Sequence, residues 1–128
     1  MSENKKLIKA AEQAMANAYV PYSNFKVGAA LLAADGKIYT GCNIENISYG
    51  ATVCAERCAI FKAVSEGERS FTKLAIVSSS GEKTFPCGMC RQVIEEFMPD
   101  GEIILSGSDD IEVFSVKSLM PHGFHTKF

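Results

Sequence analysis

No excess of positive charge marks this sequence: 13 lysines and arginines stand against 15 aspartates and glutamates, a net charge of −2. A chain without a basic stripe has no electrostatic footprint for nucleic acid or an anionic membrane surface, and neither is expected as a partner. No window approaches a membrane span. The opening "MSENKKLIKAAEQAM" places charges before and among its apolar residues, unlike the hydrophobic region of a secretory signal, so a cytoplasmic chain is expected. Without a secretory context the five cysteines do not read as a disulfide framework. Intracellular cysteine clusters more often bind metal or carry redox chemistry. Repeats, low-complexity segments and long linkers are also missing, and 128 residues is the length of one domain with one sizeable core.

What is there has the order of a layered domain. Leu7, Ile8, Ala11, Ala14, Met15 and Ala18 recur at the spacing of one helix face, with Lys5, Lys6, Glu12 and Gln13 off it. That pattern predicts a surface helix stopped near Pro21 and covering a sheet. Two apolar runs, about 25–33 and 37–42, are joined by the hairpin signal Asp35-Gly36 and predict an antiparallel pair. A helix from 53 to about 65, a turn at Gly67, a buried strand in "KLAIVSSS", a helix in "CGMCRQVIEEF" and strands in "EIILSG" and "IEVFSV" complete the order αββαβαββ. Alternating strands and helices imply an α/β fold with a mixed sheet. Right-handed crossovers make the strands around Ala75 and Ile104 parallel.

Both inner helices begin at cysteines after a strand and its loop, where α/β domains gather their sites and helix N-termini favour negative charge. Cys54, Cys87 and Cys90 could therefore meet, and a helix N-terminus favours the thiolate that binds zinc. Three ligands leave a fourth position open, as catalytic zinc sites do and structural ones do not. Glu56, two residues after Cys54, could carry protons beside such a metal without ligating it. Alone it would read as a helix-start carboxylate stabilised by the dipole. Arg57 shares a helix face with Val53, Ile60 and Val64, which predicts a buried guanidinium. Burial is costly unless something negative, here the thiolates, receives it; hydrogen bonds to the sulfurs would also withdraw charge from them.

"CAE" followed by "PCGMC" resembles the zinc deaminase signature in its three-cysteine form. With "YVPYSNFKVGAAL", "GCNIENISYG" and "CAERCAIFKAVSEG" in the same order, nearly the whole chain is similar to the small homotetrameric cytidine deaminases. The resemblance implies a three-layer αβα sandwich with about five strands, and hydrolysis of cytidine and 2′-deoxycytidine to uridine and 2′-deoxyuridine in pyrimidine salvage. By position it implies that Cys54, Cys87 and Cys90 hold one Zn2+ per chain, that Glu56 shuttles protons and that Arg57 supports the thiolates. Phe25 would pack on the pyrimidine, Asn43 and Glu45 would bind ribose hydroxyls, and Ala55 would also contact substrate. Tyr49 and Phe124 would help close a neighbouring subunit's pocket. From the residues alone, Asn43 also reads as a turn residue and Phe25 as a core aromatic. A neutral amide and a carboxylate suit sugar hydroxyls and disfavour a phosphate, which argues for a nucleoside substrate.

Two departures from the family pattern stand out. Cys58 occupies a position that is commonly threonine and puts a spare thiol one turn after Cys54. The tail "HGFHTKF" keeps Phe124 but lacks the usual acidic residues. Cys42 and Cys58 read most simply as small buried hydrophobes, and His122 and His125 receive no role. Two other readings follow from the same cysteines. "FPCGMC" at a strand-to-helix junction also suits a redox dithiol, and a fourth thiol from Cys58 or Cys42 would make a closed, structural zinc site.

Overall fold

The computed structural model describes residues 2–124. Strand β1 (Val27–Ala33) is buried along its whole length, because its alternate side chains enter two different cores. Ala30 and Leu32 meet Leu7, Ile8 and Ala11 of helix α1 (Glu3–Met15) on one face. Ala29 and Leu31 join Ala55, Ala59, Ile60 and Ala63 of helix α2 (Ala55–Ser65) and Ile94 of helix α3 (Gly88–Phe97) on the other. The sheet is thus the middle layer of a three-layer αβα sandwich.

The remaining strands are β2 (Ile38–Cys42), β3 (Phe71–Ser78), β4 (Glu102–Ser106) and β5 (Ile111–Ser115), and the spatial order is β2-β1-β3-β4-β5. The hairpin is antiparallel and turns at Gly36 with φ 93°, while the Asp35 carboxylate accepts from the Lys37 amide. β3 and β4 are parallel, with Ala75 opposite Ile104, as the crossover rule requires. The other pairings are antiparallel.

Several boundaries differ from the sequence expectation. α1 ends at Met15 rather than continuing to Ala18, whose amide donates instead to the Met15 carbonyl. Val53 lies outside α2 and bridges to Ile44. β3 runs from Phe71 to Ser78, starting earlier and ending earlier than the quoted run. A short helix α4 (Val116–Leu119) begins where a strand residue was expected, because the Ser115 hydroxyl accepts from the Ser118 amide and caps it.

Register explains where the site forms. Val27 lies opposite Ser78, and Gly28 opposite both Cys42 and Val77, so β2 and β3 end side by side, flanking the start of β1. The loops leading to α2 and α3 leave from that common edge. α2 also packs closely on β2: a Cβ at Gly41 would stand 2.5 Å from the Ala59 nitrogen and 2.6 Å from the Ala55 oxygen. Gly41→Ala is therefore expected to push α2 away and cost about 1–3 kcal/mol. A lowered thermal midpoint with weakened metal retention would check this, and an unchanged midpoint would contradict it.

Candidate metal centre and cavity

Cys54 and Cys87 occupy equivalent places, as the N-cap residues of α2 and α3 in extended backbone conformation. Neither side chain caps its own helix. Their sulfurs instead face each other at 3.9 Å, and with the sulfur of the fully buried Cys90 all three lie within 4.8 Å of one another. Two sulfurs bound tetrahedrally to one zinc at about 2.3 Å are about 3.8 Å apart, so the cluster fits the ion. Among the described residues Cys42 and Cys58 do not join it. Cys58 lies over Gly41 on β2, as the Gly41 packing shows. The donor set is therefore three thiols, which leaves a tetrahedral position free and disfavours the closed structural site. The pairing of Cys54 with Cys87 and Cys90 likewise goes beyond a two-cysteine redox motif.

The protonation pattern is that of thiols gathered to share charge. Cys54 is driven down to about 5, chiefly by the Cys90 thiol donating to it and further by Arg57. Cys90, the donor in this pair and buried, is pushed up. The Arg57 Nη2 group donates to Cys54 Sγ across 3.3 Å, and the guanidinium is held firmly protonated, mainly by that bond. Its Nε is buried, although the residue as a whole is only half-buried, less enclosed than its helix face suggested.

Glu56 follows in the first turn of α2 and is 4% exposed. Burial pushes its carboxyl up to about 7, and the neighbouring Cys54 thiolate adds to the rise. A carboxyl poised there can give or take a proton at neutral pH. Ala55, immediately before it, has its side chain in the core, which leaves only its backbone for any contact.

Beside the cluster, the loop after β2 is laced in place. Ile44 bridges to Tyr19 on one side and Val53 on the other, which delivers Cys54 to the start of α2. Asn43 clamps the segment ahead of β1: its Nδ2 donates to the Phe25 carbonyl at 2.8 Å and its Oδ1 accepts from the Val27 amide at 2.9 Å. Glu45 Oε1 accepts from the amides of Tyr22 and Ser23 at 3.0 and 3.1 Å, and Oε2 from the Ser23 hydroxyl. Tyr22, Ser23, Glu45, Tyr49 and Thr52 line a cavity of about 390 Å3, within the range of small-ligand sites. The Tyr22 and Tyr49 rings meet edge to face there, with centroids 6.0 Å apart.

Phe124 stands apart from this wall. Its backbone is clamped to α3 by Gln92, whose Oε1 accepts from the Phe124 amide and whose Nε2 donates to the Phe124 carbonyl, and the residue is 81% exposed. His125 and the rest of the tail lie outside the described residues. Sequence reasoning missed Tyr22, Ser23 and Thr52 in the cavity wall. It also missed Arg91, whose Nε donates to the Pro86 carbonyl just before Cys87. Only the quoted run "PYSNF" offered a signal for the first two, and the Arg91 contact had none.

A sandwich that brings three thiols and a buried carboxyl to two adjacent helix starts defines a metal-dependent enzyme domain. Residues 1–106 match the model of the cytidine and deoxycytidylate deaminase zinc-binding region. The chain is 55% identical over 124 residues to the cytidine deaminase of Sporosarcina psychrophila, covering 94% of this chain and 90% of that one. It is 48% identical to that of Halalkalibacterium halodurans, covering 95% and 94%. The crystal structure of cytidine deaminase from Burkholderia pseudomallei superposes with a TM-score of 0.91 at 46% identity, covering 97% of this chain and all of that one. The chain belongs to the cytidine and deoxycytidylate deaminase family.

Proposed function

We infer that this protein is a zinc-dependent cytidine deaminase, which hydrolyses cytidine to uridine and ammonia. The observation that carries the reading is the buried Glu56 carboxyl, near pKa 7, beside the three-thiol cluster, in a chain with close cytidine deaminase relatives. Cys54, Cys87 and Cys90 hold the ion, one per chain, and bound zinc would make a water molecule nucleophilic at neutral pH. Glu56 protonates N3 of the pyrimidine, takes the proton of the attacking water as it adds to C4, passes it to the leaving amino group, and regains a proton from the C4 hydroxyl as ammonia departs and the carbonyl forms. Arg57 tempers the thiolates through its bond to Cys54.

Phe25 packs on the base, Ala55 contacts it through backbone, and Asn43 and Glu45 engage the sugar. The hydrogen bonds Asn43 and Glu45 already make would hold them in place for that task. The substrates are cytidine and 2′-deoxycytidine, and the setting is pyrimidine salvage in the cytoplasm; five free thiols suit a reducing compartment. We take residues 1–128 as one domain. Loss of cytidine absorbance on adding zinc-loaded protein tests the reaction. Turnover of deoxycytidylate but not cytidine would overturn the nucleoside reading.

We also propose a homotetramer. Tyr49 at 74% exposure and Phe124 at 81% leave large apolar surface beside the cavity and on α3, and a neighbour's contact would cover it. Sedimentation should give four chains per particle. Removing the tail from His122 onward should weaken cytidine binding more than zinc retention, and a fully active monomer would contradict the shared pocket.

Arg57→Ala should reveal the guanidinium's electrostatic share. Arg57 lowers the Cys54 pKa, so its loss raises that pKa and lets protons compete with the metal at higher pH. Zinc release to a chelator on acidification should begin at a higher pH in the variant. Activity should fall at neutral pH and recover in part as pH rises. Coincident release curves and an unmoved pH–rate profile would reduce Arg57 to a packing role.

A further inference from the structure

We propose that Ser23 is a positioning residue for sugar recognition, its hydroxyl fixing the Glu45 carboxylate while holding the Phe25 backbone. The inference rests on the reading of Glu45 as a sugar-binding group. The Ser23 Oγ–H donates to Glu45 Oε2, and the same oxygen accepts from the Phe25 amide at 3.0 Å. One hydroxyl thus connects the residue expected to grip the sugar with the residue expected to pack on the base. Next to it, Asn24 takes the left-handed conformation with φ 58°, and its amide donates to the Val20 carbonyl at 3.0 Å, which turns the chain back on itself. On the far side of Phe25, the Asn43 amide holds the Phe25 carbonyl, so the segment is pinned at both of its backbone polar groups.

A carboxylate offers about four acceptor positions. The amides of Tyr22 and Ser23 take two on Oε1 and the Ser23 hydroxyl takes one on Oε2, which leaves a single position, on Oε2, for a ligand hydroxyl. Ser23 therefore decides where that last acceptor points. Its hydrogen bond is also the foremost reason that the Glu45 carboxyl sits below its ordinary range, with the two amides contributing. Ser23 and Glu45 both line the cavity. Removing the hydroxyl would free a second acceptor position and the torsion of the carboxylate, and would loosen the Phe25 amide. Among the described residues Ser23 hydrogen-bonds to Glu45 and Phe25, not to Glu56 or the three cysteines. The loss belongs to binding, not to the chemical step.

The test compares wild type with Ser23→Ala, Ser23→Thr, Glu45→Gln and the Ser23→Ala/Glu45→Gln double variant. Each is assayed for cytidine kinetics, uridine affinity by calorimetry, zinc content and thermal midpoint. Ser23→Ala should raise KM and the uridine Kd about tenfold or more, the scale of a hydrogen bond to a charged group, with kcat within about twofold. Ser23→Thr keeps the hydroxyl and should restore most of the affinity. Added to Glu45→Gln, Ser23→Ala should cost less than it does alone, because the bond to Glu45 is common to both and only the hold on the Phe25 amide remains to be lost. If Glu45→Gln raises KM and Ser23→Ala does not, the role of Ser23 is wrong while that of Glu45 stands. If Glu45→Gln leaves KM and uridine affinity unchanged, the sugar-binding reading falls first and Ser23 with it. Should Ser23→Ala fail to fold, Ser23→Cys, with its weak donor, should show the same split, and a wild-type KM there would overturn the proposal.

Discussion

Replacing Glu56 with glutamine is expected to leave zinc and cytidine binding largely intact while slowing turnover by at least about 10²- to 10⁴-fold, the usual worth of positioned acid–base catalysis. The amide copies the shape of the carboxyl in its buried site but can neither accept the proton of the attacking water nor deliver one to ammonia. The raised pKa makes the native residue apt for both tasks, since near pH 7 its protonated and ionised forms are both populated. It also has a thermodynamic signature in metal-free protein. A carboxyl that ionises near 4.3 in the unfolded chain and about 7 in the folded one contributes stability that is full below the lower value and lost as pH rises through the upper. The thermal midpoint of metal-free wild type should thus decline between about pH 4 and 7 more than that of Glu56→Gln. Single-turnover assays, metal analysis and calorimetry with cytidine check the catalytic part, and a variant within tenfold of wild type would contradict the role.

The second large effect is expected from the thiols. Cys54→Ala, Cys87→Ala and Cys90→Ala should each abolish zinc binding at ordinary metal concentrations and reduce deamination to background, because two sulfurs cannot hold an open catalytic ion. Cys90→Ala should also disturb the core, since that side chain is fully buried. Cys42→Ala and Cys58→Ala serve as controls, for neither thiol joins the cluster. Metal analysis alongside activity decides the matter. Full activity in a metal-free variant would overturn the assignment, and zinc loss in Cys58→Ala would reopen the four-thiol site.

How much of this was legible in the sequence follows from the range of each interaction. The sheet was readable because β1 and the second half of β3 carry short apolar runs bounded by turn residues, and the Ala75–Ile104 pairing follows from crossover handedness. The metal cluster was readable because its spacing places sulfurs at two helix starts. Short-range capping was legible in principle and was missed at Ser115, where strand-like residues run straight into a helix turn. The grip of Ser23 on Glu45 and that of Gln92, on α3, on Phe124 join residues 22 and 32 positions apart, with no periodicity to betray them. Only the folded chain brings such pairs together.

The two helix-start cysteines also make the metal a staple. Cys54 and Cys87 lie 33 positions apart, and the intervening chain includes α2, β3 and the loop into α3. An ion held by both closes that stretch into a ring in the folded chain only, so its binding free energy adds to the stability of the fold. The ion would then act on the whole sandwich as well as on the reaction. Melting would track free zinc concentration, and a chelator would lower the resistance of the β3 region to proteolysis and hydrogen exchange.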